Sequence, residues 1–381
     1  MRYKKISSFR VMDLVAKAKE YNSVIHFEIG EPDIEPSIKV QNAIKKAVDK
    51  KLFGYTPTLG LKELRVKIAN HYKREYNLSV NPDNILVTPG TSNAFLIAYL
   101  LTLNSGDTLA ISDPSYPCYK NFAIMTDAKL KALPIDKSCD YKLNISHLEG
   151  KKIDALHISS PSNPTGNIYD KESLKELVEY CEANSISFIS DELYHGLVYD
   201  KKPSSALEFS KDAIVINGFS KYFCMPGFRI GWMILPDHLV KPAQNIAQNL
   251  YLSAPTLSQY GALEAFDYDY LEYIKGEFKK RRDYLYNELK DIFKIEAKPD
   301  GAFYLWCDIS KYSLDAISFS YELLENIQVA ITPGVDFGEH QTKTKLRFAY
   351  TRSIEHMSEG VKRIKEYLNI KWIKQLFCRQ K

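Results

Sequence analysis

The sequence predicts an α/β protein, a mainly parallel sheet flanked by helices, joined to a smaller α+β unit. Three observations predict it. Between about residues 60 and 235, short apolar runs alternate with stretches of helical spacing, as in successive β-α-β units. After Pro236 the pattern turns helical as far as about residue 291. From about residue 293 onward short strands and helices mix.

Residues 61–76 carry apolar side chains at helical spacing, and 85–88 read as a strand. Then follow a helix at 91–103, a strand at 108–112, a helix at 115–126, and strands at 129–133 and 155–159. Residues 171–183 form an amphipathic helix pattern, and 187–190, 213–217 and 229–235 are strand-like. Pro242 and Pro255 are the main breakers in the helical region, where residues 270–290 predict one long helix leading out of the large unit. The last unit has strands near 303–306, 329–331 and 345–348 and a final helix near 355–368. No internal repeat, low-complexity tract or Gly/Ser linker is present.

A chain of 381 residues suits one large domain plus a smaller one. Apolar content of 45% and charged content of 26% are those of a globular protein in water. The net charge of +4 is small, lysine and glutamate are interleaved, and no basic arm or aromatic-basic patch points to nucleic acid. The six cysteines lie far apart without a Cys-x-x-Cys pair, which argues against zinc and a disulfide framework and predicts reduced thiols in a cytoplasmic protein. No signal peptide is visible after Met1, and the longest apolar run, Ala94-Phe-Leu-Ile-Ala-Tyr-Leu-Leu101, is far short of a membrane span of about 20 residues. The tail Trp372-Ile-Lys-Gln-Leu-Phe377 is a short amphipathic piece expected to pack on its own small domain.

Polar residues close the apolar runs of the first region. Ser160-Pro-Ser-Asn163-Pro164-Thr-Gly166 follows one strand, and Asp191 ends Ile186-Ser-Phe-Ile-Ser190 with Tyr194 three residues on. Lys221 follows Ala213-Ile-Val-Ile-Asn217 by a short turn, and Arg229 comes eight residues later. On an open α/β sheet such residues lie at the carboxyl ends of the strands, where these sheets bind ligands. An amine there, with a carboxylate, a phenol and an amide converging on it, is the chemistry that pyridoxal phosphate needs.

These motifs belong to a longer series. In chain order it also holds Gly30-Glu-Pro-Asp33, Gly54-Tyr55-Thr-Pro-Thr-Leu-Gly60, Thr88-Pro-Gly90-Thr-Ser92-Asn-Ala94, Asp113-Pro-Ser-Tyr116-Pro and Leu346-Arg347-Phe-Ala. Together they span residues 30–349 and resemble the class I/II aminotransferases of the fold-type-I pyridoxal-phosphate enzymes. The resemblance implies a large domain over 42–275 with a seven-stranded sheet. It also implies a small domain made of 1–41 and 276–381, the N-terminal segment folding back on the C-terminal unit.

The resemblance also implies roles. Lys221 holds the cofactor as an imine and, once displaced by the amino donor, shuttles the proton. Asp191 keeps the pyridine nitrogen protonated so that the ring can act as an electron sink. Tyr194 and Asn163 donate to the cofactor's phenolate oxygen; read alone, Asn163 is only the first residue of a Pro-Thr-Gly turn. Gly90, Thr91 and Ser92 offer a helix start to the phosphate, although Thr91 and Ser92 equally suit plain helix capping. Arg229 supplies the charge, and Ser220 or a water takes the place of a phosphate-binding serine that many members carry where this chain has Gly218. Tyr55 reaches the phosphate of the neighbouring subunit, which implies a homodimer with shared sites. Tyr116 stacks on the ring; its plainer use is as a core aromatic. Arg347 clamps the substrate's α-carboxylate, and Gly30 closes over it.

The implied reaction is ping-pong transfer of an amino group from an L-amino acid to a 2-oxo acid, with glutamate and 2-oxoglutarate as the family's usual pair. Side chains near the N-terminal segment (Phe9, Val11, Met12) and near Asn249 decide the substrate. The apolar Phe9, Val11 and Met12 favour alanine-like, aliphatic or aromatic donors over aspartate, with N-acylated or cell-wall diamino acids as a further donor class. A β-lyase acting on cystathionine-like substrates uses the same lysine, aspartate and arginines. A non-enzymatic regulator with an aminotransferase-like domain would append a DNA-binding domain, for which this chain has no room before Gly30.

Overall fold

The computed structural model describes residues 2–379, with side chains for 3–369. Its centre is a seven-stranded sheet built from β1 (Ile85–Thr88), β2 (Thr108–Asp113), β3 (Lys129–Pro134), β4 (Ala155–Ser159), β5 (Ser187–Asp191), β6 (Ile214–Gly218) and β7 (Gly231–Ile234). In space they run β1-β7-β6-β5-β4-β2-β3. Only β7 is antiparallel to its neighbours, Thr88 pairing with Gly231 on one side and Gly218 on the other. Strands β1, β6 and β7 are buried along their whole length, which is why they read as continuous apolar runs without alternation.

The flanking helices follow from local pattern. Helix Lys171–Ala183 buries Leu174, Leu177, Val178 and Cys181 on one stripe, and Asp170 caps it by accepting from the Ser173 amide at 3.0 Å. Pro242 is carried inside helix Asp237–Leu250, and Pro255 caps helix Thr256–Ala262. Helix Tyr268–Leu289 turns Leu271, Ile274, Phe278, Leu285 and Leu289 inward.

Three boundaries differ from expectation. The helix expected from 115 begins only at Cys118, because Pro117 can start a helix but the residues before it run on from β2. The strand expected from 229 begins at Gly231, since Arg229 takes a left-handed conformation (φ 53°) that no strand tolerates. The final helix spans Ile354–Arg379 rather than stopping near 368. The expected packing of the 372–377 tail concerns side chains outside the described residues.

The C-terminal unit has an antiparallel sheet in which Tyr304–Asp308 lies between Lys345–Ala349 and Lys294–Ile295. Ile25–His26 pairs parallel with Val329–Ala330 of this unit. One apolar cluster runs from Ile25 and Phe27 through Val215 and Trp232 to Phe348 and Leu368, joining the two units through a shared core. Among the described residues no helix is long and apolar enough to cross a membrane.

Candidate active site

Sheet polarity explains how residues 200 positions apart meet. The carboxyl ends of β1, β2, β4, β5 and β6 lie along one edge, and the reversed β7 brings its amino end to that same edge. Gly90, Tyr116, Asn163 and Lys221 follow β1, β2, β4 and β6, Asp191 ends β5, and Arg229 precedes β7. One cleft is lined by Thr91, Ser92, Tyr116, Asn163, Asp191, Tyr194, Ser220, Lys221 and Arg229 from this edge. Gly30 and Arg347 close it from the other unit. Tyr55 does not line it: the side chain stands 83% exposed elsewhere on the surface.

The anion end of the cleft is made by backbone as much as by charge. Gly90, with φ +74°, leads into helix Thr91–Thr102, and a Cβ on it would lie 2.4 Å from Arg229 Nη2. The positive φ suits glycine, and the missing Cβ leaves room for the guanidinium beside the start of that helix. Arg229 is exposed and donates to the Pro226 carbonyl at 3.0 Å, leaving its remaining donors for an anion. Gly218 also acquires a reason. It pairs with Gly231, and a Cβ on it would come within 3.1 Å of the Thr91 methyl and 3.2 Å of Gly231 Cα. The helix start crosses the sheet edge where these two glycines leave room.

At the other end Asp191 is buried. Its Oδ1 accepts from the Leu193 amide at 3.0 Å and its Oδ2 accepts from the Tyr119 hydroxyl. Burial pushes the carboxyl up to about 6, against the lowering effect of Tyr119, the Leu193 amide and the Lys221 charge. Tyr119 rests on the His157 ring, 4.0 Å between centroids, and His157 bonds the Tyr99 hydroxyl at 2.6 Å. Sequence reasoning missed Tyr119. It stands three residues after Tyr116 in a stretch whose apolar pattern hides a polar hydroxyl.

Lys221 donates to the Gly30 carbonyl at 2.7 Å. Burial, then the positive charges of Arg347 and Arg229, bring its amine down to about 8, while Glu31 and Asp191 pull the other way. Arg347 is buried. It donates from Nη1 to Asn163 Oδ1 (3.0 Å) and from Nη2 to the Glu28 carbonyl (2.7 Å), and its Nε has no partner. The guanidinium lies 4.3 Å above the Tyr304 ring and 4.8 Å from that of Phe337. Tyr194, expected to face a cofactor oxygen, shares a 2.8 Å hydrogen bond with the Tyr304 hydroxyl. Tyr304 was also missed, lying inside an apolar strand pattern that showed only its packing role.

Two supports hold the roof. Arg281 donates to Asp33 Oδ1 at 2.6 Å and to the Thr351 carbonyl, fixing the Gly30–Asp33 loop to the long helix. Asp336 accepts from the Arg10 and Val11 amides, 3.1 and 2.8 Å, and so caps helix Arg10–Ala18. That helix start sets Phe9, Val11, Met12 and Val15 along the cleft. Asn249 does not line it and bonds the Asn245 carbonyl within its own helix.

The family model for aminotransferase class I and II matches residues 22–364. The chain belongs to the class I and II aminotransferases. It is 40% identical over 374 residues to the (5-formylfuran-3-yl)methyl phosphate transaminase of Methanocaldococcus jannaschii, covering 95% of this chain and 97% of that one. It is 39% identical over 351 residues to a probable aspartate aminotransferase of the same organism, covering 90% and 92%. An aminotransferase from Mycobacterium tuberculosis superposes with a TM-score of 0.92 at 31% identity, covering 96% of this chain and 97% of that one. This aminotransferase therefore uses pyridoxal phosphate, as its family does. Its cleft fits that group: a glycine-lined anion cradle at one end, a buried carboxylate at the other, and an amine between charged neighbours.

Proposed function

We propose that this aminotransferase takes its amino group from apolar L-amino acids, alanine-like, aliphatic or aromatic, and passes it to a 2-oxo acid. One observation carries the reading. The substrate end of the cleft is lined by Phe9, Val11, Met12, Val15 and Phe337, and among the described residues the cleft's only lining cations are Lys221, Arg229 and Arg347. With Arg229 at the anion cradle and Arg347 on the α-carboxylate, a second substrate carboxylate meets no further cation among the described residues that line the cleft.

The roles follow from position. Bound pyridoxal phosphate supplies an aldehyde carbon for the amine and a conjugated ring that takes up the electron pair released at the substrate Cα. Gly90, Thr91, Ser92, Ser220 and Arg229 hold the phosphate, and Asp191 holds the proton on the ring nitrogen. Tyr116 packs on the ring face, and Tyr194 and Asn163 donate to its oxygen. Arg347 fixes the α-carboxylate under the Gly30 carbonyl, and the neutral Lys221 amine takes the Cα proton and returns it. Phe9, Val11 and Met12 line the cleft from the N-terminal segment.

The test is a donor screen against pyruvate and 2-oxoglutarate, followed through the cofactor's absorbance. Alanine, leucine or phenylalanine should exceed aspartate in kcat/KM by roughly a hundredfold, the cost of burying an unpaired carboxylate. Aspartate as the best donor overturns the reading.

The working unit is a homodimer in the cytoplasm. Tyr55 (83%) and Phe53 (62%) stand exposed on a loop that Thr256 ties down through the Gly54 carbonyl, near exposed Leu250 and Leu252. A two-fold partner covers this apolar face and receives the Tyr55 hydroxyl at its phosphate. Mixing Tyr55→Ala with Lys221→Ala subunits, each inactive alone, puts both lesions in one site of the hybrid and none in the other. About a quarter of wild-type activity should return on equal random mixing. No recovery in proven hybrids means that Tyr55 acts within its own subunit. The described cysteines, all free thiols, suit the reducing cytoplasm.

A further inference from the structure

We propose that Tyr304 is a positioning residue that couples the Arg347 carboxylate clamp to the Tyr194 phenol. Three contacts converge on this one side chain. Its ring lies 4.3 Å beneath the Arg347 guanidinium, its hydroxyl is 2.8 Å from that of Tyr194, and a Cβ on Gly30 would come within 2.1 Å of the same hydroxyl. Gly30 in turn accepts from Lys221. Tyr304 lies on the C-terminal sheet, paired with Ala349, whereas Tyr194 follows β5. The hydroxyl pair therefore joins the two units directly beside the cleft.

The direction of that bond decides what it does. The Tyr304 hydroxyl has no side-chain hydrogen-bond partner besides Tyr194 among the described residues, and either hydroxyl of the pair can donate, so its proton can point at the Tyr194 oxygen. When Tyr194 gives its own proton to the cofactor's oxygen, Tyr304 donates behind it, and the chain of two polarises and strengthens the front bond. A carboxylate arriving on Arg347 loads the ring that carries the second hydroxyl. Arg347, Asp191, Lys221 and Tyr116 are the charged or titratable groups around the pair. The coupling rests on Tyr194 facing the cofactor's oxygen, as assigned above.

The test titrates the visible absorbance of the holoenzyme against pH in wild type, Tyr304→Phe, Tyr194→Phe and the double variant. Donor KM and kcat are measured alongside. Tyr304→Phe keeps the ring under Arg347, so donor KM should stay within about twofold. The absorbance midpoint should rise by about half to one pH unit as the front bond weakens, and kcat should fall roughly threefold to tenfold. Tyr194→Phe should raise the midpoint at least as much, and adding Tyr304→Phe to it should change nothing more. Tyr304→Leu, which removes the ring, should raise donor KM. An unmoved midpoint in Tyr194→Phe overturns the role given to Tyr194. A moved midpoint there, with none in Tyr304→Phe or with shifts that simply add in the double variant, overturns the coupling.

Discussion

Lys221→Ala should lose transamination almost completely, with kcat down at least about ten-thousandfold and the fold intact. In the roles proposed for Lys221 two functions go together: the amine that holds the cofactor and the base that moves the Cα proton, each worth orders of magnitude. The side chain makes one hydrogen bond, to the Gly30 carbonyl, so its removal costs little stability. In wild type, borohydride should fix the cofactor on Lys221, located by peptide mapping; the adduct on another lysine, such as Lys120, overturns the assignment. The amine adds a pH test in cofactor-free protein. Burial and the Arg347 charge bring it down to about 8, so its neutral, reactive form dominates above that pH. Limiting acetic anhydride at pH 8.5 should label Lys221 well ahead of the exposed lysines, with a midpoint near 8. A midpoint above 10 would mean that the amine is solvated like any surface lysine.

Asp191→Asn should slow both half-reactions by about a hundredfold to a thousandfold, since the ring nitrogen loses the charge that keeps its proton. The same change should stabilise the cofactor-free protein. The sign follows from burial: the folded carboxyl stands at about 6, above its ordinary value of 3.8. An acid raised in this way binds its proton more tightly folded than unfolded, so stability falls as pH rises from about 4 to 6 and stays low above that. Asparagine removes the penalty but loses part of the bond with Tyr119. The net gain should be about 1–2 kcal/mol at pH 8, vanishing near pH 4. Adding cofactor should reverse the order, because only wild type gains a charged partner. Thermal melts with and without cofactor at pH 4 and 8 check this. A half-reaction within tenfold of wild type places the electron-sink role elsewhere, and a less stable variant at pH 8 refutes the burial argument.

Much of the cleft was legible in local sequence because strand ends are local events. An apolar run stops, a polar residue follows, and on a mainly parallel sheet all such stops face one edge. Asp191, Asn163, Lys221 and Gly90 could be read in this way, and the motif order named the family. Arg229 could be placed only by its motif. Its arrival at the same edge depends on β7 running backwards, which the strand pattern of 229–235 does not reveal.

The sequence by itself determined the alternation of strands and helices, the family, the cofactor, and most of the side chains that line the cleft. Tertiary structure alone decided the contacts between segments. Tyr119 reaches Asp191 across 72 residues and Tyr194 meets Tyr304 across 110. A side chain at position 218 would press on Thr91, whose methyl lies 3.1 Å from where its Cβ would stand. Periodicity reports which face of an element is buried, and that signal is the same whether a buried tyrosine fills space or points its hydroxyl at a partner. Which hydroxyl finds which carboxylate depends on strand order and helix crossing, quantities that no window of neighbouring residues contains.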